Sequence, residues 1–463
     1  MPSPIAGPLR IAIIGAGPSG FYAAEHLQKQ GRDIAIDLFD RLPTPFGLVR
    51  GGVAPDHPKI KSVTRVYDKI AARPGFRFFG NVEFGRDVTL ADLQRHYHAI
   101  VFSCGAPSDR ALGIPGEDLP GSRTATEFVG WYNGHPDFRD LTFDLSQEDV
   151  VVVGVGNVAM DVARILCRTP EELAETDIAS HALEALRESK VKTVYVLGRR
   201  GPAQAAFTNP EIKELGEMEA ADIVVDPAEL ELDEASRVMV EEGEDRTPQK
   251  NLDTLGAFSN RAPGTKEKKI VMRFCVSPVA LEGTDRVERV RIVRNRLEPD
   301  GRGGVRAVAT NEEEVLPAGL VFRSVGYRGV ALPGVPFDER RCVIPNAAGR
   351  VVDADGAPIP GVYAAGWIKR GPSGVIGTNK PDAVETVEQL LADADAGALP
   401  VPAEASTDAL VAELRERGIR VVSYADWQRL DAHELAEGKR TGRPRLKLTR
   451  LQEMLDALDR EPA

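Results

Sequence analysis

Apolar residues in this chain come in short unbroken runs, and two of those runs end on glycine-rich turns. Ile11-Ala12-Ile13-Ile14 leads into Gly15-Ala16-Gly17-Pro18-Ser19-Gly20, and Val150-Val151-Val152-Val153 leads into Gly154-Val155-Gly156-Asn157-Val158-Ala159. A continuous apolar run, without polar alternation, predicts a strand buried on both faces, as in a parallel sheet. A helix is expected after each turn. Asp33 to Asp40 and Val191 to Leu197 predict the strand that follows each helix, and Arg77–Phe79 and Ala99–Ser103 predict further strands. Lys59 to Ala72 predicts a helix, whereas Leu42 to Pro58 carries so much Pro and Gly that it predicts a long loop.

The later part of the chain is less regular. Ile270–Phe274 and Val287–Val293 alternate imperfectly and predict antiparallel strands added to a sheet. The acidic stretch Glu211 to Asp245 predicts a solvated surface excursion, and Leu320 to Tyr327 a strand returning towards the first domain. Val362 to Trp367 predicts a strand ending in a turn, Asp382 to Ala392 a helix, and Ala403 to Arg460 two or three amphipathic helices. The expected fold is α/β, with two Rossmann-like dinucleotide-binding domains. The first spans 1–108 and 326–463, and the second, 109–325, is inserted into it.

The two glycine-rich turns carry the chemistry. In G-x-G-x-x-G/A the first Gly makes the tight turn and the second lets backbone approach a pyrophosphate. The third position lets helix and strand pack closely. Gly15, Gly17 and Gly20 fill these places in the first copy, and Gly154, Gly156 and Ala159 in the second. The helix N-terminus then offers N–H groups and partial positive charge to the anion. The strand ends that should read the ribose differ. Asp40 lies twenty residues beyond Gly20, where a carboxylate can accept bonds from ribose hydroxyls. The matching strand after the second copy ends on Gly198-Arg199-Arg200-Gly201, with no acid. Two guanidiniums would bind a 2′-phosphate through charge-assisted bonds worth about 1.5–3 kcal/mol each. The first site therefore reads as FAD and the second as NADP(H).

Composition narrows the class. The chain has 463 residues, 42% of them hydrophobic and 28% charged, as expected of a globular protein of two or three domains. Its net charge of −12 and lack of a basic arm argue against nucleic-acid binding. No apolar run reaches membrane-span length, and the short segment before the first strand leaves no room for a signal peptide, so a cytoplasmic location is expected. Cys104, Cys167, Cys275 and Cys342 are far apart, which excludes a C-x-x-C redox pair and a self-contained cysteine-ligated cluster. They are expected to be buried apolar thiols, and no metal site is expected.

Together the segments Gly15–Tyr22, Pro45–Arg50, Gly52–Pro58, Gly80–Val82, Gly198–Pro202 and Gly366–Pro372 resemble the adrenodoxin-reductase type of NADPH–ferredoxin reductase, its mycobacterial members included. The resemblance covers nearly the whole chain. It implies hydride transfer from NADPH to FAD, then single electrons passed to a ferredoxin or similar small acidic iron–sulfur protein; a monomer is expected. It implies FAD contacts at Ser19, Asp40, Leu48, Phe84, Trp367, Gly374, Val375 and Ile376. It implies NADP contacts at Arg110, Val155 to Val158, Arg199, Arg200, Glu211 and Gly374. Asp40 stands where Glu is commoner, and Phe84 replaces a smaller aliphatic. The resemblance also suggests that His57, between prolines in the long loop, pairs with Glu214 near the nicotinamide. Glu214 follows Glu211 by about one turn, on a helix that Asn209 is expected to cap with Pro210 at its first position. A role for the pair in ordering the nicotinamide and assisting proton uptake stands beside a purely structural one. Two alternatives keep both nucleotide signals: an NADPH-dependent flavin monooxygenase, and a non-catalytic NADP-binding sensor that would not need the flavin floor at Gly374–Ile376.

Overall fold

The computed structural model describes residues 7–262, 264–301 and 304–460. They fall into two compact units. The first holds residues through Val53, His57–Ser108 and the chain from Gly326 on, and the second holds Ala54–Asp56 and Asp109–Val325.

The first unit is built on a seven-stranded sheet. In spatial order its strands are Asn346–Ala347, Arg350–Val352, Pro358–Ala364, Ala99–Phe102, Leu9–Ile14, Ile34–Phe39 and Phe76–Phe79. The last five run parallel, and the first two add antiparallel to one edge. Side chains of the Leu9–Ile14 strand alternate between two cores. Leu9, Ile11 and Ile13 join one with the Pro18–Gln28 and Tyr424–Arg440 helices, while Ala12 and Ile14 join the other with Leu93, Leu410 and Leu414. Burial on both faces is why the run reads as continuously apolar. Strand order reverses at Leu9–Ile14, which places the following turn at a topological switch point, where open α/β sheets bind ligands.

The second unit has a fully parallel six-stranded sheet, ordered Ser122–Thr124, Leu320–Arg323, Asp149–Val153, Thr193–Leu197, Lys268–Arg273 and Ala221–Val225. Helices cover one face, against Val150, Val152, Val194 and Val196. The opposite face, with Val151, Val153, Leu197 and Val321, packs against a separate antiparallel sheet of Val276–Glu282, Arg289–Pro299 and Val305–Pro317.

Several expectations are corrected. Lys268–Arg273 is a parallel strand inside the main sheet, and only the 289–299 segment joins an antiparallel one. The 211–245 stretch is no solvated excursion. It supplies the edge strand Ala221–Val225 and two helices, and it buries Glu211 and Glu229. Leu320–Arg323 is a parallel strand of the second unit's own sheet and stops before residue 324. The helix expected from 59 to 72 is two, Pro58–Lys61 and Thr64–Ala71, and the long loop contains a helical turn at Leu48–Gly51. Among the described residues no helix is long and apolar enough to cross a membrane.

Candidate functional site: two glycine cradles

At the first cradle the glycines are required by contact. Gly15 has φ +109, and a Cβ there would lie 2.6 Å from the Ser103 carbonyl oxygen. A Cβ on Gly20 would lie 2.2 Å from the Gly15 carbonyl oxygen, so helix and strand could not close. Gly17 differs: its Cβ would meet only Gly47 Cα, at 4.0 Å. The second glycine thus leaves room, as close approach of a pyrophosphate needs. Pro18 opens the Pro18–Gln28 helix and no side chain caps it, so the helix end keeps its pull on an anion.

Asp40 stands just past the Ile34–Phe39 strand. Its Oδ2 accepts from the Ala16 N–H at 2.9 Å and its Oδ1 from the Leu42 N–H at 3.0 Å. Burial pushes its pKa up, against these two donors. The bonds lock the carboxylate beside the fingerprint turn, where an acid meets a ribose. The long loop folds back on the same turn. Phe46, at φ +86, donates its N–H to the Ala16 carbonyl at 2.7 Å, and its ring packs against Phe21, Tyr67 and Trp427. Leu48, next in line, stays 40% exposed. Phe84 is half-buried, edge-on to Phe102.

The far side of this cradle comes from the C-terminal segment. Gly366 has φ +78, and a Cβ there would lie 2.0 Å from Ser19 Oγ. Ser19 Oγ donates to Asn379 Oδ1 at 3.0 Å, which joins the starts of the Pro18–Gln28 and Asn379–Asp395 helices. Two positive helix ends therefore converge in one unit. Gly374, at φ +79, with Val375 and Ile376 leads into the second of them. Val375 is 55% exposed and donates its N–H to Thr378 Oγ1. Trp367 stacks on Tyr327 with ring centroids 5.3 Å apart. The turn around it is fixed by buried Lys369 and by Asp382, which sequence reasoning did not single out; Asp382 accepts from the Gly366 N–H. Positive helix ends, an acid beside the turn and exposed aliphatics fit a phosphate-bearing cofactor with a flat apolar ring, as FAD is.

The second cradle repeats the first two glycine roles. Gly154 has φ +133, and its Cβ would lie 2.1 Å from the Ser324 carbonyl oxygen; a Cβ on Gly156 would meet nothing within 4 Å. Ala159 is fully buried, and no side chain caps the Asn157–Cys167 helix. The Val155 carbonyl accepts from the Ala206 and Phe207 N–H groups, and Asn157 Oδ1 accepts from the Thr208 N–H at 2.8 Å. Val158 is half-buried and Arg110 exposed. At the end of the Thr193–Leu197 strand Arg199 is exposed and Arg200 half-buried. Among the described residues no carboxylate bonds either guanidinium. Burial, then the charge of Arg199, pull the Arg200 pKa down against a weaker attraction from Asp300. Two cations held together without an acid fit the 2′-phosphate of NADP(H).

Glu211 and Glu214 lie on the Asn209–Leu215 helix. Asn209 does not cap it: Thr208 holds that position, and the Asn209 amide donates to the Lys250 carbonyl, Asn251 and Thr254. Glu211 is buried and accepts from Arg164 at 3.1 Å, and Glu214 lies 3.7 Å from the same guanidinium. Arg164 is wholly buried and also binds Asp161 and Asp56, each at 2.6 Å. Asp56 pairs with Arg168 too, at 2.7 Å. Arg164, Asp161 and Asp56 were not anticipated. The available signal was a charged i,i+3 pair, Asp161 and Arg164, on an otherwise apolar helix. His57 belongs to the first unit, where it is buried and precedes the Pro58–Lys61 helix.

None of the four cysteines is in a disulfide; Cys167 and Cys342 are buried, Cys104 and Cys275 partly so. Burial pushes the thiols of Cys104 and Cys167 up to about 12 and that of Cys275 to about 11, far from thiolate chemistry at neutral pH.

Comparison with known proteins shows the chain's family. The pyridine nucleotide-disulphide oxidoreductase family matches residues 9–200. NADPH-ferredoxin reductase FprA of Mycobacterium tuberculosis is 48% identical over 462 residues, covering 97% of this chain and 98% of that protein. The human mitochondrial NADPH:adrenodoxin oxidoreductase is 45% identical over 463 residues, covering 97% and 92%. The solved structure of M. tuberculosis FprA in complex with NADPH has a TM-score of 0.91 to this chain at 48% identity, covering 97% and 99%. The chain belongs to the adrenodoxin-reductase-type family of NADPH–ferredoxin reductases.

Proposed function

We propose that this protein takes hydride from NADPH on FAD and passes single electrons to a ferredoxin-type iron–sulfur protein, acting as a cytoplasmic monomer. The observation that carries the reading is the pair of open glycine cradles with opposite ribose readers, Asp40 in one and Arg199 with Arg200 in the other. A bound flavin supplies the step from two-electron to one-electron transfer. The chain's own residues have simpler tasks. Gly17 and Gly156 admit phosphates to helix ends, and Ser19 with Asn379 keeps two such ends together. Asp40 orients a ribose, and the two arginines select the 2′-phosphate. Leu48, Phe84, Trp367 and Gly374–Ile376 line the flavin, and Arg110, Val155–Val158 and Glu211 belong to the NADP site.

His57 and Glu214 are assigned to support of hydride transfer. Stopped-flow flavin reduction should slow in His57→Gln; unchanged hydride transfer with unchanged NADPH affinity would remove that role. The overall reading is tested by NADPH-dependent cytochrome c reduction with and without added ferredoxin. A ferredoxin-dependent rate that falls steeply with salt, while flavin reduction does not, is expected for a charged encounter. A rate indifferent to ferredoxin contradicts the proposed acceptor.

A further inference from the structure

We propose that Asn295 is a positioning residue that sets the second cradle's preference for adenosine nucleotides bearing a 2′-phosphate. The inference rests on the reading of Arg199 and Arg200 as the phosphate's partners.

Asn295 lies on the Arg289–Pro299 strand, the middle strand of the three-stranded sheet, at a shift in register with Val305–Pro317. It is only 6% exposed. Its side-chain Nδ2 donates to the Arg199 carbonyl at 2.9 Å and to Ser277 Oγ at 2.8 Å, and its N–H donates to the Cys275 carbonyl at 2.7 Å. Cys275 completes the frame by donating its N–H to the Arg200 carbonyl at 3.0 Å. It does so at φ +53, a left-handed conformation rare for a side-chain-bearing residue. The carbonyls of both arginines are thus held from one side by two residues that hold each other.

Buried Glu229 fixes the flanks of that frame. It accepts from Arg273 Nε at 2.9 Å, from the Phe274 N–H at 2.6 Å and from Arg294 Nη2 at 3.1 Å. Residues 273, 274 and 294 are the chain neighbours of Cys275 and Asn295.

Two adjacent cations repel, and with no carboxylate bonded to them among the described residues the turn would relieve that strain by rotating them apart. A guanidinium sits at the end of a long side chain, so a small rotation of the turn moves it out of reach of a phosphate. Clamping both carbonyls keeps the arginines converged before the ligand arrives, which favours binding by preorganisation. The clamp contacts only the arginine main chain. Its loss should therefore weaken recognition of the 2′-phosphate more than recognition of the rest of the nucleotide.

The test uses the flavin-loaded protein and the probes 2′,5′-ADP and 5′-AMP as competitors of NADPH. Asn295→Asp keeps the shape but cannot donate to the Arg199 carbonyl, and Asn295→Ala removes the group. Each should lower the affinity ratio of 2′,5′-ADP to 5′-AMP by about tenfold, the worth of one well-placed hydrogen bond. Ser277→Ala, which removes only the second partner of the amide, should lower the same ratio less. Arg199→Ala/Arg200→Ala is run alongside. If it abolishes the ratio while both Asn295 variants leave it unchanged, the positioning role is overturned and the reading of the arginines stands. If it leaves the ratio unchanged, the underlying reading fails and the inference with it. Equal losses for both probes in the Asn295 variants would mean general damage and would also overturn the positioning role.

Discussion

Arg200 is a cation in a poor setting, half-buried and beside a second arginine, and on the proposed function a 2′-phosphate would repair that setting. Replacing either Arg199 or Arg200 with Ala should cost about 1.5–3 kcal/mol of NADPH binding. The KM for NADPH should rise at least about tenfold, and that for NADH far less; steady-state kinetics with both donors read this directly. Arg164 is the opposite case, a buried cation saturated with acids. Arg164→Met would leave Asp56, Asp161 and Glu211 without their buried partner, at a cost of about 3–5 kcal/mol, visible as a lower urea midpoint. The placement of Asp40 and of the arginine pair just past a strand was legible in the sequence, because each follows an apolar run downstream of a fingerprint. Arg164 was not, because a charged i,i+3 pair on a helix reads as solvent-facing. Only the fold shows that Asp56, far away in sequence, lies 2.6 Å from it.

Among elements, the strands with unbroken apolar runs were legible, since burial on both faces leaves no polar position. The edge strand Ala221–Val225 was hidden because an edge keeps solvent access: Asp222 accepts from the Lys266 N–H there and Val224 is 41% exposed. The helix break between Lys61 and Thr64 has no Pro or Gly to announce it. At the cradles themselves, glycine geometry makes separable predictions. Gly154→Ala would drive a methyl towards the Ser324 carbonyl at an unfavourable φ, so NADPH binding should be lost while the protein stays yellow. Gly366→Ala would push Ser19 away from Asn379, so flavin content per chain should fall while 2′,5′-ADP still binds. Absorbance and nucleotide titration of the two variants check both outcomes.

At the scale of the whole molecule, one buried ion cluster ties the C-terminal helices into the first unit. Glu434 on the Tyr424–Arg440 helix accepts two bonds from Arg50, at 2.5 and 2.9 Å, and one from Arg445 at 2.7 Å. Arg50 lies over the Trp427 ring at 5.2 Å. Burial alone would raise the Glu434 pKa, but Arg50 and Arg445 outweigh it and hold the carboxyl below the ordinary glutamate range. A lowered folded-state pKa contributes stability that is complete above the unfolded value of about 4.3 and disappears as pH falls through the folded value. Thermal midpoints should therefore drop on acidification below about pH 4.3. Glu434→Gln, already lower at neutral pH, should show a shallower drop. The inserted architecture was visible from the order of two fingerprints and a late glycine-rich segment. The grouping of Ala54–Asp56 with the second unit was not, and there Asp56 pairs with Arg164 and Arg168, far away in sequence.

The central claim is that one cradle holds a flavin and the other selects NADPH to reduce it. Anaerobic stopped-flow bleaching of the purified yellow protein by NADPH and by NADH tests it most directly. NADPH should bleach the flavin with an apparent affinity about two orders of magnitude better than NADH, the combined worth of two charge-assisted contacts. A colourless protein, or a flavin that the two donors bleach with equal affinity and rate, would contradict it.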